Sequence, residues 1–235
     1  MAYEILETLS TIQGSNNYNL WIYNSIKHYL HGNIIDIGSG IGNIARYYNT
    51  SNIDKVILSD REEEMYIELK NKFSYSEKYA ILKMDITDES CIEILSAYRV
   101  DVATCINALE HIKDDVKALV NMHKILNKNG ILLLIVPAFP FLYGTLDIIS
   151  GHIRRYTKKT LNEKLKQAHY TIKKQHYMNF FGIATWFLAG RILKQKELHK
   201  NVCRVLDRFV PVLEMVERYR KPSIGQSIVT VCSKS

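Results

Sequence analysis

Four short apolar segments of the sequence each carry, at or near their end, a polar residue that could bind a ligand. The segments are NIIDIG, KVILSD, YAILKMD and DVATCIN, and the polar residues are Asp36, Asp60, Asp85 and Asn107. β-Branched segments of this length predict buried strands, and open α/β sheets bind ligands beyond the carboxyl ends of their strands. One such residue alone would be explained as a helix cap or a turn residue, but four in succession predict a binding crevice.

The turn after the first segment, DIGSGIGN, has the composition of a ligand-binding loop. Glycines let the backbone turn sharply and approach a ligand closely. A dinucleotide fingerprint counted from Gly38 would need its third glycine where Asn43 stands. Asp36 is poorly placed beside a pyrophosphate but well placed beside an ammonium or sulfonium group. Asp60 follows 24 residues later, where doubly wound folds place the acid that binds ribose hydroxyls.

Residues 151–160, GHIRRYTKKT, form a basic segment shortly after the apolar run ILLLIVPAFP. Two adjacent arginines can hold a phosphate or carboxylate bidentately. We therefore predict that Arg154, Arg155 and Tyr156 bind an acidic substrate. The alternative is a solvated helix start, in which Thr157 caps a helix that begins with the two following lysines.

Two histidines and a tyrosine are candidates for proton transfer: His111 after the fourth predicted strand, His152 in the basic segment, and Tyr143 before it. A positioned base accelerates a reaction by about 10²–10⁴-fold where the reacting group must lose a proton. For each histidine the competing interpretation is structural, namely packing or the orientation of a neighbour.

The intervening elements predict an α/β fold with a doubly wound, mostly parallel sheet. Strand five follows a turn at Asn129-Gly130, and HYTIKKQHY and QSIVTVCSK add two strands, seven in all. Helices are expected before residue 31, directly after the glycine turn, and over about 62–73 and 158–168. Another should start near Asp114-Asp115 and bury Val116, Leu119 and Val120.

A helical insertion is predicted over 179–222, before the last strand. Val202, Val205, Leu206 and Phe209 should form one apolar face, and Pro211 should start a second helix. We interpret 1–235 as a single domain with a helical lid at 1–31 and a ligand-binding core at 32–137. The remainder, 138–235, would be the acceptor side, with the insertion as its cap.

The ordered set IIDIGSGIGNIA, Asp60, MDITD and CINALEHIKDD, followed by a strand after NKNG, resembles the motifs of class I S-adenosylmethionine-dependent methyltransferases over about residues 18–137. YNLWIYNSIKHYLHG and VPAFPFLYGTLDIISGHIRRYTKKTL are similar to a bacterial "methyltransferase domain" subgroup, sometimes fused to glycosyltransferases. The resemblance implies a Rossmann-like methyltransferase sheet. It also implies S-adenosyl-L-methionine as cofactor and S-adenosyl-L-homocysteine as product.

The same resemblance assigns cofactor contacts by position. Asp36, Gly38, Gly40 and Gly42 would border the methionine part, Asp60 the ribose, Asp85 and Ile86 the adenine, and Asn107 the methionine end, while Tyr18 and Trp21 would close over the cofactor. The adjoining Ser39, Arg61 and Ala108 are included in the predicted cofactor site.

A metal is not predicted. The run NALEHI is similar to the E-x-x-E-H run with which some RNA-end and quinone O-methyltransferases bind a divalent ion. Here Asn107 stands where the first glutamate would be, which leaves Glu110 and His111, with His152 as a third candidate. A site short of one carboxylate binds hard cations poorly.

Charge is divided unevenly along the chain. Residues 1–150 hold 13 Lys+Arg against 19 Asp+Glu, a net charge of −6, and residues 151–235 hold 18 against 5, a net charge of +13. The leading hypothesis is methyl transfer to an O or N atom of an acidic small-molecule or lipid- or glycan-linked acceptor. The alternatives are an RNA methyltransferase, which the basic half favours, and a cofactor-binding protein without methyl transfer activity.

Four scattered cysteines without a CxxC pair suggest neither a zinc site nor a disulfide framework, and the start MAYEILETLS has no apolar signal region, so a cytoplasmic location is expected. No apolar run reaches the roughly 20 residues of a spanning helix. FFGIATWFLAGRIL with its following lysines could contact a membrane surface, although burial of that helix is favoured. The sequence makes no prediction of oligomeric state.

Overall fold

A computed structural model describes residues 9–11, 13–197 and 199–234. Seven strands form one sheet in the order β3-β2-β1-β4-β5-β7-β6. They are β1 (Gly32–Ile37), β2 (Ile53–Asp60), β3 (Tyr79–Lys83), β4 (Val100–Ile106), β5 (Leu126–Pro137), β6 (Tyr170–Met178) and β7 (Ser227–Lys234). The first five are parallel, and β7 lies antiparallel between β5 and β6. The predicted doubly wound, mostly parallel sheet is therefore confirmed.

Helices cover both faces of this sheet. They are α1 (Asn16–Ile26), α2 (Glu63–Phe73), α3 (Ser90–Ser96), α4 (Asp115–Ile125), α5 (Thr145–Ile149), α6 (Lys158–Gln167), α7 (Phe180–Phe187), α8 (Lys200–Asp207) and α9 (Val210–Tyr219). One apolar core holds side chains of α3, α4 and α6, and a second holds those of α1 and α2. Ile35 of β1 enters the first core and Ile34 the second, because successive strand residues point to opposite faces.

The start of α1 depends on a residue almost two hundred positions away. The sequence predicts a loop at QGSNNYN, but the helix already begins at Asn16. The carboxylate of Asp207, in α8, accepts hydrogen bonds from the backbone N–H groups of Asn17 and Tyr18 at 3.1 and 2.9 Å. These donors have no partner within the helix, so the distant carboxylate acts as its cap. The part of the predicted N-terminal helical segment at residues 1–8 lies outside the described residues.

The helix predicted directly after the glycine turn is wrong. Only one 3₁₀ turn, Ala45–Tyr47, forms there. Tyr48 follows with its ring fully buried and its hydroxyl 3.4 Å from Thr104 Oγ1, and the polar run NTSN then leads into β2. Asparagine, threonine and serine favour turns over helix, because their side chains compete with the helical backbone hydrogen bonds.

Helix α4 faces the core slightly differently from the prediction. Leu119 is fully buried as expected, but Val116 and Val120 are only half-buried, and Ala118 and Met122 take their place. The helix is turned this way because the acidic Asp115 at its first position points inward, where Tyr156 and two cations contact it.

The turn expected at Asn129-Gly130 lies inside β5. Pairing with β4 is irregular there, since Val100 pairs with Leu126 and Val102 with Ile131. Such extra residues in one strand are a β-bulge.

The predicted insertion contains α7, a π-helical turn at Leu188–Ile192, α8 and α9, and Pro211 lies in the first turn of α9 as expected. Among the described residues, no helix combines the length and apolarity needed to cross a membrane. The division of the chain into lid, core and acceptor side stays a prediction.

Replacing Asp207 by alanine should destabilise the fold. Two N–H groups at the start of α1 would lose a charged acceptor in a buried setting, at a cost of about 1–3 kcal/mol in unfolding free energy. Urea denaturation of Asp207→Ala measures this loss, and Asp54→Ala, at an exposed position in β2, is the matched control. Equal stability of the two variants would contradict the capping role.

Candidate active site

The turn between β1 and the following 3₁₀ segment is fixed by two glycines and one carboxylate. Gly38 has φ +69°, and a Cβ there would lie 2.6 Å from the Cβ of Ala108; at Gly42, with φ +80°, it would lie 2.4 Å from the ring of Phe73. Asp60 Oδ2 accepts the N–H of Gly40 at 2.9 Å. The turn is therefore held tightly against β4, α2 and the end of β2.

Asp36 is the second-last residue of β1, directly before this turn, and is almost completely buried. Burial raises its pKa to about 6, opposed by the hydroxyl of Thr104, which donates to Asp36 Oδ1 at 2.5 Å. A carboxylate in this state gains stability when a cation comes next to it. The turn thus presents a site suited to a positively charged ligand group.

One cavity of about 380 Å³ opens beside the turn. It is of the size of small-molecule sites. Fourteen of the residues singled out in the sequence line it: Tyr18, Asp36, Gly38, Ser39, Gly40, Asp60, Arg61, Asp85, Ile86, Asn107, Ala108, His111, His152 and Arg155. The polar residues at the ends of the first four strands therefore meet at one place, as the strand-end pattern predicts.

Five other residues of the predicted site do not line the cavity: Trp21, Gly42, Tyr143, Arg154 and Tyr156. Trp21 is buried in the core on the α1 side, and Gly42 packs on Phe73. Tyr143 donates its hydroxyl to the carbonyl of His152 at 2.8 Å, so it holds the backbone of that histidine.

The two arginines of the basic segment point to different partners. Arg154 forms an ion pair with Asp115 at 2.5 Å, and the Tyr156 hydroxyl donates to the same carboxylate at 2.9 Å. Arg155 instead contacts Asp147 at 2.7 Å. Side chains of an extended segment alternate in direction, which separates position 155 from 154 and 156. The predicted pair of arginines that bind one acidic group together does not fit this geometry.

Asp147, a residue without any signal in the sequence, is fully buried behind the cavity. Its carboxylate accepts from His152 Nδ1 at 2.8 Å, from Arg155 Nε at 2.7 Å and from Trp186 Nε1 at 3.0 Å. The N–H of Gly144 is a fourth donor at 3.0 Å. Burial alone would raise the pKa of Asp147, but the donors from His152 and the charge of Arg155 lower it, so the carboxylate is ionised.

His152 is oriented by this carboxylate. Because Nδ1 carries the hydrogen directed at Asp147, Nε2 is left as the acceptor of the neutral ring. The ring of His111 stands edge-on to it, with centroids 4.9 Å apart. Burial lowers the pKa of His111 to about 4, and its Nδ1 lies 3.0 Å from the carbonyl of Gly151, so the ring of His111 is neutral.

Glu110 completes the cluster, and no strand-end pattern identifies it. The side chain is fully buried, and neither carboxylate oxygen has a hydrogen-bond partner among the described residues. Its Oε1 lies 3.7 Å from His152 Nε2, and burial raises its pKa to about 7. Glu110, His111 and His152 bring one ligand atom each within 4.8 Å of one another. The three could hold a cation, while the prediction that no metal is used stays a prediction.

Sequence reasoning also missed Trp186 and Ser227, which line the cavity from α7 and from β7. Trp186 was part of a segment whose apolar composition indicates core or membrane contact. Its role is visible only once its indole N–H is seen to reach Asp147, 39 residues earlier.

The family model described as "Methyltransferase domain" matches residues 12–181, well over half of the chain. The protein therefore belongs to this methyltransferase family, whose cofactor is S-adenosyl-L-methionine. A comparison with curated proteins finds no match.

Three solved structures share the fold. A S-adenosylmethionine-dependent methyltransferase from Clostridium acetobutylicum ATCC 824 aligns with TM-score 0.58 and 13% identity over 92% of this chain and 90% of that chain. A SAM-dependent methyltransferase from Archaeoglobus fulgidus gives TM-score 0.56 and 16% identity over 92% and 94%. The cyclase SpnF gives 0.58 and 14% over 91% and 79%.

The donor set of the cavity fits this cofactor. S-adenosyl-L-methionine carries an ammonium and a sulfonium group, and Asp36 offers a buried carboxylate beside the turn. Its ribose offers two hydroxyl donors, and Asp60 at the end of β2 offers acceptor oxygens. Both acids lie in the same cavity as His111 and His152.

The pH dependence of stability should reveal the buried charge of Glu110. A free glutamate has a pKa near 4.3, whereas the folded chain keeps this proton up to about pH 7. Between these values the folded state binds more protons than the unfolded state, so stability falls as pH rises. Glu110→Gln removes this effect and should gain on the order of 1–3 kcal/mol relative to wild type as pH is raised from about 5 to about 8.

Urea denaturation at a series of pH values measures that gain. Glu93→Gln, at an exposed position of α3, is the control and should follow the wild-type curve. A constant difference between Glu110→Gln and wild type at every pH would show that Glu110 does not titrate in this range.

Proposed function

We propose that this protein transfers a methyl group from S-adenosyl-L-methionine to an O or N atom of an acidic acceptor that is a small molecule or is linked to a lipid or glycan. The observation that supports it best is the shared cavity, in which the turn with Asp36 and Asp60 lies beside His152, held by Asp147. The residues proposed to bind the cofactor and the residue proposed as base thus line the same cavity, as base-assisted methylation of a hydroxyl or amine requires.

The cofactor end is proposed to bind by charge and by hydrogen bonds. When bound, S-adenosyl-L-methionine supplies a methyl group on a sulfonium sulfur that is already a good leaving group. Asp36 attracts the positively charged methionine part, and Asp60 accepts hydrogen bonds from the ribose. Asp85 and Ile86 border the adenine, and Tyr18 covers the opening from α1. Alignment of acceptor and methyl group in this way can supply on the order of 7–11 kcal/mol of the barrier reduction.

His152 is proposed as the general base. An acceptor oxygen or nitrogen that took the methyl group, with S-adenosyl-L-homocysteine as the leaving product, would pass its proton to His152 Nε2. Asp147 stabilises the resulting imidazolium, because its ionised carboxylate already binds Nδ1–H at 2.8 Å. His111 stays neutral and shapes the space beside the base. Tyr143 supports the backbone of His152 and takes no part in the proton transfer.

The acidic nature of the acceptor has a different basis from the one that the sequence suggested. Arg154 is engaged by Asp115, so it is not available as half of a paired arginine site. Arg155 reaches the cavity but is balanced by Asp147. The support for an acidic acceptor comes instead from the net charge of +13 of residues 151–235.

Two alternatives follow from particular observations. The fold is shared with the cyclase SpnF, so the fold alone does not require methyl transfer, and a protein that binds the cofactor without transferring its methyl group is the first alternative. Absence of labelled methyl transfer with intact cofactor binding would identify it. The basic half favours RNA as acceptor, and steep salt dependence of RNA binding would identify that case. We further infer a cytoplasmic location, which the four free cysteines support.

Replacement of Asp60 tests the cofactor end. Loss of a charge-assisted hydrogen bond costs about 1.5–3 kcal/mol, so Asp60→Ala should weaken S-adenosyl-L-methionine binding about tenfold to a hundredfold in calorimetry. Asp88→Ala, at an exposed aspartate after β3, should bind like wild type. Unchanged affinity in Asp60→Ala would remove the proposed cofactor site.

Replacement of His152 tests the base. His152→Gln keeps a donor for Asp147 but has no basic nitrogen, so kcat should fall by about 10²–10⁴-fold while cofactor affinity is kept. Transfer of labelled methyl into small-molecule and lipid extracts measures the rate. His28→Gln, on the surface, should keep full activity. Full activity in His152→Gln would exclude this residue as base, and catalysis would then depend on alignment of the acceptor with the methyl group alone.

A further inference from the structure

The helical insertion exposes apolar side chains that a helix normally buries. Four apolar residues in and just after α8 have the spacing of one helix face: Val202, Val205, Leu206 and Phe209. They are nevertheless 54%, 52%, 44% and 59% exposed. A stripe at this spacing usually faces a core. Here no described part of the chain covers it.

The next helix repeats the pattern. Val212, Met215, Val216 and Tyr219 of α9 have the same spacing and are 56%, 54%, 50% and 88% exposed. Further apolar side chains are exposed along α7 and the π-helical turn: Phe181, Phe187, Leu188, Ile192 and Leu193. We call these three groups together the apolar face of the insertion. So many exposed apolar side chains in one segment indicate an interaction surface.

The acidic residues of the insertion are turned toward the rest of the protein. Asp207 caps α1, and Glu217 accepts from the backbone N–H groups of Asn179 and Phe180 at 3.0 and 2.7 Å. Glu214 accepts from Asn24 in α1 at 3.0 Å. Three of the four acids between 179 and 222 thus serve internal contacts.

The cations of the same segment are its lysines and arginines. All nine are exposed: Arg191, Lys194, Lys196, Lys200, Arg204, Arg208, Arg218, Arg220 and Lys221. The surface of the insertion therefore combines apolar side chains with a positive charge. This is the pattern of helices that lie in the interface of a membrane with anionic lipids.

We infer that the insertion binds the surface of an anionic lipid bilayer through this apolar face and its flanking cations. A second copy of the chain fits less well, since a symmetric contact would bring the same cations of two copies together. The contact is interfacial, because none of the described helices could span a bilayer.

The surface is connected to the proposed active site through α7. Trp186 of this helix lines the cavity and donates to Asp147, while Phe187 and Leu188 next to it are exposed. Membrane binding does not rest on methyl transfer. If both hold, an acceptor carried by a lipid would reach the cavity along α7.

Co-sedimentation of the full chain with lipid vesicles tests the inference. The protein should bind vesicles of phosphatidylcholine that contain phosphatidylglycerol, and bind vesicles of pure phosphatidylcholine much less. Leu206→Asp and the double variant Arg204→Glu/Arg208→Glu should each lower partitioning about tenfold or more, the first through lost apolar burial and the second through lost attraction.

Matched controls keep the test independent of folding and of catalysis. Ile67→Asp in α2 and Lys128→Glu in β5 change similarly exposed residues away from the insertion and should bind vesicles like wild type. All variants should keep their melting temperature and their affinity for S-adenosyl-L-methionine.

Failure of wild type to bind anionic vesicles, or equal binding by Leu206→Asp and wild type, overturns the inference. A dimer in analytical ultracentrifugation that Leu206→Asp dissociates would assign the apolar face to a second copy and overturn it as well. Loss of methyl transfer in His152→Gln with unchanged vesicle binding would bear on the proposed base alone and would leave the inference of membrane binding unaffected.

Discussion

The carboxylate of Asp147 is fully buried and ionised, and such a group is stable inside a protein only when donors surround it. Its donors come from three parts of the chain: Gly144 at the start of α5, His152 and Arg155 in the basic segment, and Trp186 in α7. Satisfying one buried charge therefore fixes the basic segment, the insertion and the candidate base relative to one another. Removal of any donor would leave charge uncompensated behind the cavity.

Asp115 performs a parallel role on the other side of the basic segment. It accepts from Arg154, Tyr156 and Lys164, so that the alternation of an extended backbone distributes the segment between two acids. The two arginines of this segment are neutralised within the protein, by Asp115 and Asp147. The atom proposed for chemistry is Nε2 of His152, which lies 3.7 Å from the carboxylate of Glu110, a group without a hydrogen-bond partner among the described residues. The arginines of the segment thus hold neighbouring elements together, and its histidine is the proposed base. The exposed positive charge that a partner could contact lies farther along the chain.

The exposed positive charge is concentrated in the insertion, which contacts both α1 and the residues behind the proposed base. Asp207 caps the first turn of α1, and Trp186 donates to Asp147. The insertion therefore supports both the helix that carries Tyr18 and the residues behind the proposed base. Its outward side is apolar and basic. A single element therefore serves internal packing through its acids and its tryptophan and leaves its other face for a partner.

The sequence by itself determined the strands, the glycine turn and the polar residues at the strand ends. These follow from local causes: β-branched apolar segments, glycine at positive φ, and the parallel arrangement that brings strand ends to one edge. The fold class could be predicted on that basis, and so could the elements that carry Asp36, Asp60, Asp85 and Asn107, whereas the cofactor was implied by the resemblance of these motifs to class I methyltransferases.

Only the tertiary structure decided which charges are used internally. Whether Arg154 faces a substrate or Asp115, and whether Asp147 and Glu110 are buried, depends on contacts between residues as much as 49 positions apart. The same holds for the start of α1 and for the exposed stripe of α8, since helical spacing indicates an apolar face but not what covers it. Burial and ion pairing depend on which residues meet in the folded chain. A local sequence pattern cannot predict them, because the partners lie far away in the sequence.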